Sequence, residues 1–142
     1  MHNILFVCTA NIFRSRFAEE VFNFLAIKEK IPARAFSAGL KVGEYHIRKI
    51  YRPALEQLEK LNIKPKRPNE LSLHIDEVQL YKYDQLICMD ETEHKPMVLS
   101  NSKLKEFNFE YWDIIDEPIV QSDVSLPICY NKVKEIVDGL KK

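Results

Sequence analysis

Residues 4–15 read Ile4-Leu5-Phe6-Val7-Cys8-Thr9-Ala10-Asn11-Ile12-Phe13-Arg14-Ser15. The first five are apolar without alternation, as in a central parallel strand buried on both faces. From Ser15 to about Lys28 the apolar residues Phe17, Ala18, Val21, Phe22 and Leu25 recur at helical spacing. A buried strand, a short loop and a helix therefore follow one another directly. Working outward, Ala33 to Ser37 reads as a second strand closed by Gly39, and Gln85 to Met89 as a third. Phe107 to Trp112 alternates apolar and polar residues, as a strand nearer an edge does. Pro53 suits the first turn of a helix carrying Leu55, Leu58 and Leu61 on one face. A last helix is expected from Ser125-Leu126-Pro127, burying Val133, Ile136, Val137 and Leu140. Strands alternating with helices predict an α/β fold: a parallel sheet with helices on both faces. Ligands of such sheets bind beyond the carboxyl ends of the strands.

Cys8 stands at such a strand end, and Arg14 and Ser15 open the helix that follows. A loop curled between strand and helix can turn the backbone N–H groups of Thr9, Ala10, Asn11, Ile12, Phe13 and Arg14 towards one centre, with the helix dipole behind them. That is an anion cradle, and the planar fork of Arg14 can add two hydrogen bonds to phosphate oxygens. The same positive surroundings favour the thiolate of Cys8, which would lie below a bound phosphate and attack it in line. Ser15 can donate a hydrogen bond to the sulfur and ease its departure afterwards.

Composition narrows the field. The 142 residues suit a single domain, 1–142, with 46% hydrophobic and 30% charged residues. Lys plus Arg equals Asp plus Glu, 21 each, so net charge points to neither nucleic acid nor an anionic membrane surface. No apolar stretch approaches the roughly 20 residues of a membrane helix, and no basic segment precedes the first apolar run as in a signal peptide. Cys8, Cys88 and Cys129 lack zinc-like spacing, and reduced thiols in a cytoplasmic setting are expected. His2, His46, His74 and His94 are scattered without paired ligand spacing, so no metal site is expected. Tyr45 and His46 fall where a pocket mouth or a solvated loop would lie. Lys64-Pro65-Lys66-Arg67 reads as a solvated basic face. Asp90, after the third strand, is placed either to support the site or to cap a helix.

The run from Ile4 to Ser15, followed by Ala18-Glu19, resembles the signature of the low-molecular-weight protein tyrosine phosphatases. Ser37-Ala38-Gly39, Leu86-Ile87-Cys88-Met89-Asp90-Glu91 and Ile114-Ile115-Asp116-Glu117-Pro118 resemble three further landmarks of that family, in family order. The resemblance implies a flavodoxin-like four-stranded parallel sheet of order 2-1-3-4. It also implies hydrolysis of phosphomonoesters, protein phosphotyrosine or small aryl phosphates, without metal or other cofactor. Cys8 would be the nucleophile and Arg14 the phosphate clamp. Asn11 would take a left-handed turn, with its side chain tied to Ser15 and Ser37.

Several positions depart from the family pattern. Ala10 replaces a glycine, so the loop must fit a methyl group. Phe13 stands where many members carry a second cysteine. Ile119-Val120 holds the place of an aromatic pair, which predicts an aliphatic-walled pocket. The family's general acid is an Asp directly before a Pro. Here Glu117 precedes Pro118, which favours Glu117; Asp116 would serve after a one-residue shift, and Asp113 is a third candidate. Two other functions fit parts of the pattern. A thiol arsenate reductase shares the loop, with Cys88 as its second thiol; Lys95 occupies the partner's place, and Cys129, in the last helix, is left as the other thiol that could complete the relay. A non-catalytic phosphate-binding module would tolerate the changes at Ala10 and Glu117.

Overall fold

The computed structural model describes residues 1–43 and 47–141, so Tyr45 and His46 lie outside the described residues. Four parallel strands, β1 (His2–Cys8), β2 (Ala33–Gly39), β3 (Gln85–Cys88) and β4 (Glu110–Tyr111), form one sheet of order β2-β1-β3-β4. Four helices connect or follow them: α1 (Arg14–Lys28), α2 (Arg52–Lys60), α3 (Glu91–Leu99) and α4 (Ser122–Leu140). The strand order is the one the family resemblance implied.

Burial of β1 on both faces explains its unbroken apolar run. Ile4, Phe6 and Cys8 join the cluster formed with α1, α2 and α4, including Phe17, Val21, Phe22, Leu58, Leu126 and Val133. Leu5 and Val7 point the other way, into a cluster with Leu86, Cys88, Val98 of α3 and Leu104. Two short 3₁₀ turns, Ile75–Glu77 and Leu80–Lys82, help cover that second face.

Three expectations need correction. The last helix begins at Ser122, before Ser125, and Pro127 sits in its second turn, where the missing N–H forgoes a single backbone bond. The fourth strand is only two residues long; Phe107 and Phe109 do pack against the second cluster, but their backbone lies outside the ladder. Leu61 lies at the C-terminal cap of α2 and is exposed, while Leu58 is fully buried.

The basic stretch at 64–67 is also more than a solvated face. Its backbone docks on the polar side of α1, which is itself buried. Glu20 accepts hydrogen bonds from the N–H groups of Lys66 and Arg67 at 2.8 and 3.0 Å. Arg16 donates to the carbonyls of Glu70 and Arg67 at 3.0 and 2.7 Å. The Arg67 guanidinium pairs with Glu19 at 2.8 Å. Each buried charge on α1 thus meets an opposite charge or a backbone group, as burial of ions requires.

Candidate active site

Cys8 ends β1 and Arg14 begins α1, so residues 9–13 make the loop between them. Asn11 carries the turn, with φ of 57°, the left-handed conformation that Asn tolerates better than most residues. Ala10 is not among the residues with positive φ, so its methyl group brings no left-handed strain. The loop is braced by the residues just after β2 as well: Leu40 N–H donates to the Cys8 carbonyl at 2.9 Å and Lys41 N–H to that of Thr9 at 2.8 Å. Gly39 makes this approach possible, because a Cβ there would come within 2.8 Å of the Thr9 carbonyl oxygen.

The side-chain network has one consistent polarity. The N–H of Leu73 can only donate, so Asn11 Oδ1 accepts from it at 2.9 Å. Asn11 Nδ2 must then donate to Ser15 Oγ, also at 2.9 Å. Ser15 Oγ and Cys8 Sγ lie 2.9 Å apart, and a Cys8 thiolate, which can only accept, makes the Ser15 hydroxyl the donor between them. Ser37 is not part of this chain: its hydroxyl donates to Glu19 at 2.5 Å, and the place expected for it at Asn11 is taken by Leu73. Ser37 supports the loop only at one remove, through α1.

Arg14 is almost fully buried. One terminal nitrogen donates to the Ile114 carbonyl and the other to Glu93 Oε2, both at 2.9 Å; Asp116 Oδ2 lies 3.4 Å from the second. Burial works against the guanidinium charge, but the Glu93 hydrogen bond and the neighbouring charges hold its pKa above the ordinary value. Its Nε is buried with no acceptor among the described residues. Glu93 was not among the residues the sequence singled out. Nor was His94 given a role, although its ring is fully buried against Glu93 and Thr9.

A cavity of about 410 Å³ opens above Cys8, lined by the loop residues Thr9, Ala10, Ile12, Phe13 and Arg14, by Ile47 and Tyr51, and by Asp116 and Glu117. The walls differ from the expected aliphatic pair. Ile119 is 81% exposed, and neither it nor Val120 lines the cavity. The rings of Phe13 and Tyr51 meet edge to face at 5.5 Å, with Tyr51 N–H bonded to the Ile12 carbonyl at 2.6 Å. The cysteine replaced by Phe13 has therefore become an aromatic wall. Both acid candidates reach the cavity. Asp116 Oδ1 accepts the N–H of Glu117 at 2.9 Å. Burial pushes the Asp116 carboxyl up from its ordinary pKa; Arg14 opposes this, while Glu93 adds to it. Asp113 is exposed and pairs loosely with Lys132 at 3.9 Å, away from the cavity lining.

Cys88 and Cys129 are buried in opposite clusters, on the two faces of the sheet. Burial raises the Cys88 thiol pKa and pushes that of Cys129 up to about 12. Asp90 precedes α3 without a side-chain cap bond. Among the described residues, no group of three or more His, Cys, Asp or Glu side chains could hold a metal ion, and no helix is long and apolar enough to cross a membrane.

The sequence profile described as "Low molecular weight phosphotyrosine protein phosphatase" matches residues 3–141. By sequence, no curated protein matches the chain. Many solved structures share its fold. A low molecular weight phosphotyrosine phosphatase from Vibrio cholerae O395 superposes with a TM-score of 0.80 at 17% identity, over 100% of this chain and 98% of that one. An arsenate reductase from Archaeoglobus fulgidus gives 0.70 at 23% identity, over 95% and 98%. A Drosophila arginine phosphatase gives 0.69 at 20% identity, over 95% and 92%.

Proposed function

Because the chain belongs to the low-molecular-weight phosphotyrosine protein phosphatase family, whose members are cysteine-dependent phosphatases, we propose that it hydrolyses aryl phosphate monoesters, protein phosphotyrosine above all, through a phosphocysteine on Cys8. The observation that carries this reading is the Cys8 thiol at the floor of a cavity, hydrogen-bonded to Ser15 and overlooked by Arg14 and by the rings of Phe13 and Tyr51.

In the first step the Cys8 thiolate forms an S–P bond as the bond from phosphorus to the aryl oxygen breaks. The loop N–H groups of residues 9–14 and the Arg14 guanidinium hold the three non-bridging oxygens, whose charge shifts during transfer. A carboxylic acid protonates the departing oxygen. We assign that proton to Asp116 in preference to Glu117, which chain position favours. Asp116 lies 3.4 Å from the Arg14 fork, and its surroundings help it keep a proton. In the second step water attacks phosphorus, the same carboxylate takes its proton, and the S–P bond breaks with Ser15 steadying the leaving thiolate. The scheme uses no metal or cofactor: thiolate, guanidinium and carboxyl supply nucleophile, positive charge and proton.

The walls favour an aromatic leaving group, since a well-placed ring pair contributes roughly 0.5–1.5 kcal/mol beyond area burial. A thiol relay as in arsenate reduction would need further reactive thiols near Cys8. Cys129 shares the cluster of Cys8 and Cys88 lies on the other face of the sheet, but both thiols are buried with raised pKa values and so are poor nucleophiles, which argues against that reading. A nucleophile of this kind works in a reducing compartment, and we place the protein in the cytoplasm, with neither nucleic acid nor membrane as partner.

The test is turnover of a phosphotyrosine peptide, phenyl phosphate, a phosphoarginine peptide and a sugar phosphate. The phosphotyrosine peptide should be hydrolysed best, and Cys8→Ser should abolish release of phosphate from every substrate. Phosphate binding without turnover would reduce the chain to a non-catalytic binding module. Arsenate reduction with thioredoxin, without ester cleavage, would make it a reductase. A preference for phosphoarginine would move the substrate assignment away from tyrosine.

A further inference from the structure

Glu93 lies in the first turn of α3, outside the phosphate loop, yet three donors from three places converge on one of its oxygens. Arg14 donates to Oε2 at 2.9 Å. The Thr9 hydroxyl donates to the same atom. His94 is the third, with Nε2 at 3.1 Å from Oε2 and 3.1 Å from Thr9 Oγ1. The backbone fixes the tautomer of that ring. The N–H of Asp90 donates to His94 Nδ1 at 3.1 Å, so Nδ1 carries no proton and Nε2 must carry it. The ring is fully buried and cannot swing away.

We propose that Glu93, held by His94 and Thr9, is the positioning residue that sets the Arg14 guanidinium in its phosphate-binding orientation. The inference rests on the phosphatase reading for what Arg14 binds. The physical reason lies in how few restraints Arg14 has. Beside Glu93, among the described residues only the Ile114 carbonyl accepts a hydrogen bond from it and fixes its plane. Asp116, at 3.4 Å, offers a competing anchor nearer the cavity. With Glu93 in place, one terminal nitrogen is drawn back towards α3. The unpartnered Nε and the remaining terminal protons are then left for a phosphate. Without Glu93, the guanidinium can close on Asp116, which removes the clamp and the acid together. Glu93 also ties Thr9, a residue of the loop, to the same oxygen. Burial raises the Glu93 pKa, but the hydrogen bonds from His94 and Arg14, the Arg14 charge and the Thr9 hydroxyl outweigh it, and the carboxyl stays ionised.

The role depends on reach more than on charge, and this gives the test its sign. Oε2 accepts all three bonds, and the side chain is 26% exposed, so a glutamine can keep its carbonyl on the three donors and turn its NH₂ outward. An aspartate keeps the charge but is one methylene short. Each variant should be compared with the native chain for competitive inhibition by inorganic phosphate, for phosphate protection of Cys8 against iodoacetate, and for kcat/KM on phenyl phosphate, after urea unfolding has shown it folded. Glu93→Gln should stay within about threefold of the native chain, while Glu93→Asp and Glu93→Ala should weaken phosphate binding and kcat/KM by about tenfold or more. In an Arg14→Lys background, Glu93→Asp should cost little more, because its effect passes through the guanidinium.

A wild-type-like Glu93→Ala, an aspartate that outperforms the glutamine, or losses that multiply in the Arg14→Lys background would overturn the proposal. So would tighter phosphate binding on removal of Glu93, as expected if it only repels the anion. If Glu93→Ala does not fold, the order of Gln and Asp decides. The protection assay reads Arg14 without turnover. A chain that hydrolysed no ester would sink the phosphatase reading, and the clamp would still be judged by protection.

Discussion

Asp116 and Glu117 are neighbours in sequence with different surroundings. Asp116 stands beside the Arg14 fork with a raised pKa, and Glu117 shares the cavity wall. A general acid works protonated, so activity falls as pH rises through its pKa. An elevated Asp116 pKa moves that basic limb above the ordinary aspartate value of about 3.9. Asp116→Asn should lose roughly 10²–10³-fold on phenyl phosphate, much less on an aryl phosphate with an activated leaving group, and should flatten the basic limb. Glu117→Gln should leave the limb in place. Steady-state profiles of both variants on both esters decide the matter, and the reverse pattern would return the proton to Glu117. The sequence brought both residues forward and favoured Glu117 for its place directly before Pro118; the opposite preference proposed here depends on Arg14 approaching Asp116 from a helix more than 100 residues earlier. Glu93 and His94 left no local sign at all. Their partner Thr9 is 84 residues from Glu93, and only the pairing of β1 with β3 brings α3 to the loop.

Among the elements, those whose burial follows a simple period were legible. The apolar run of β1 and the spacing of Phe17, Val21 and Leu25 on α1 each face one kind of environment along their length. Legibility failed where polar residues are buried by partners distant in sequence. Lys64-Pro65-Lys66-Arg67 reads as a solvated basic face, yet Lys66, Arg67 and Glu70 cover Arg16, Glu19 and Glu20 of α1, all three of them buried. That segment in turn leads to Leu73, whose N–H holds Asn11. Glu20 accepts two backbone N–H groups with its two oxygens, and glutamine can accept only one of them. Glu20→Gln should therefore destabilise the protein by about 1–3 kcal/mol, read from urea unfolding. Amide exchange at Lys66 and Arg67 should rise ahead of exchange in β1. Unchanged stability and exchange would show that the segment is held by other contacts. The short β4 failed for a different reason: its alternation is real, but side-chain burial and backbone pairing are separate requirements, and only Glu110 and Tyr111 meet the second.

Taken as one molecule, the protein gathers its site from nearly the full length of the chain. The partners of the loop lie 62 residues away at Leu73, 84 at Glu93 and 100 at Ile114. No fragment shorter than most of the chain contains them all, so the cradle exists only when the sheet and its flanking helices are in place. Thermodynamic linkage follows from that distribution. An oxyanion that fits the folded cradle finds no equivalent in the unfolded chain, and mass action draws the folding equilibrium towards the bound form. Inorganic phosphate at 100 times its dissociation constant should add about 2.7 kcal/mol to the free energy of unfolding, raising the thermal midpoint by several degrees for a chain of this size. Arg14→Ala should remove most of that rise, and chloride at equal ionic strength should not produce it. A midpoint indifferent to phosphate would mean that the cradle takes no oxyanion. Since the loop is tied to segments all along the sequence, a small ion bound at one end of the sheet would act as a thermostat for the entire fold, and melting alone would rank candidate ligands before any of them is turned over.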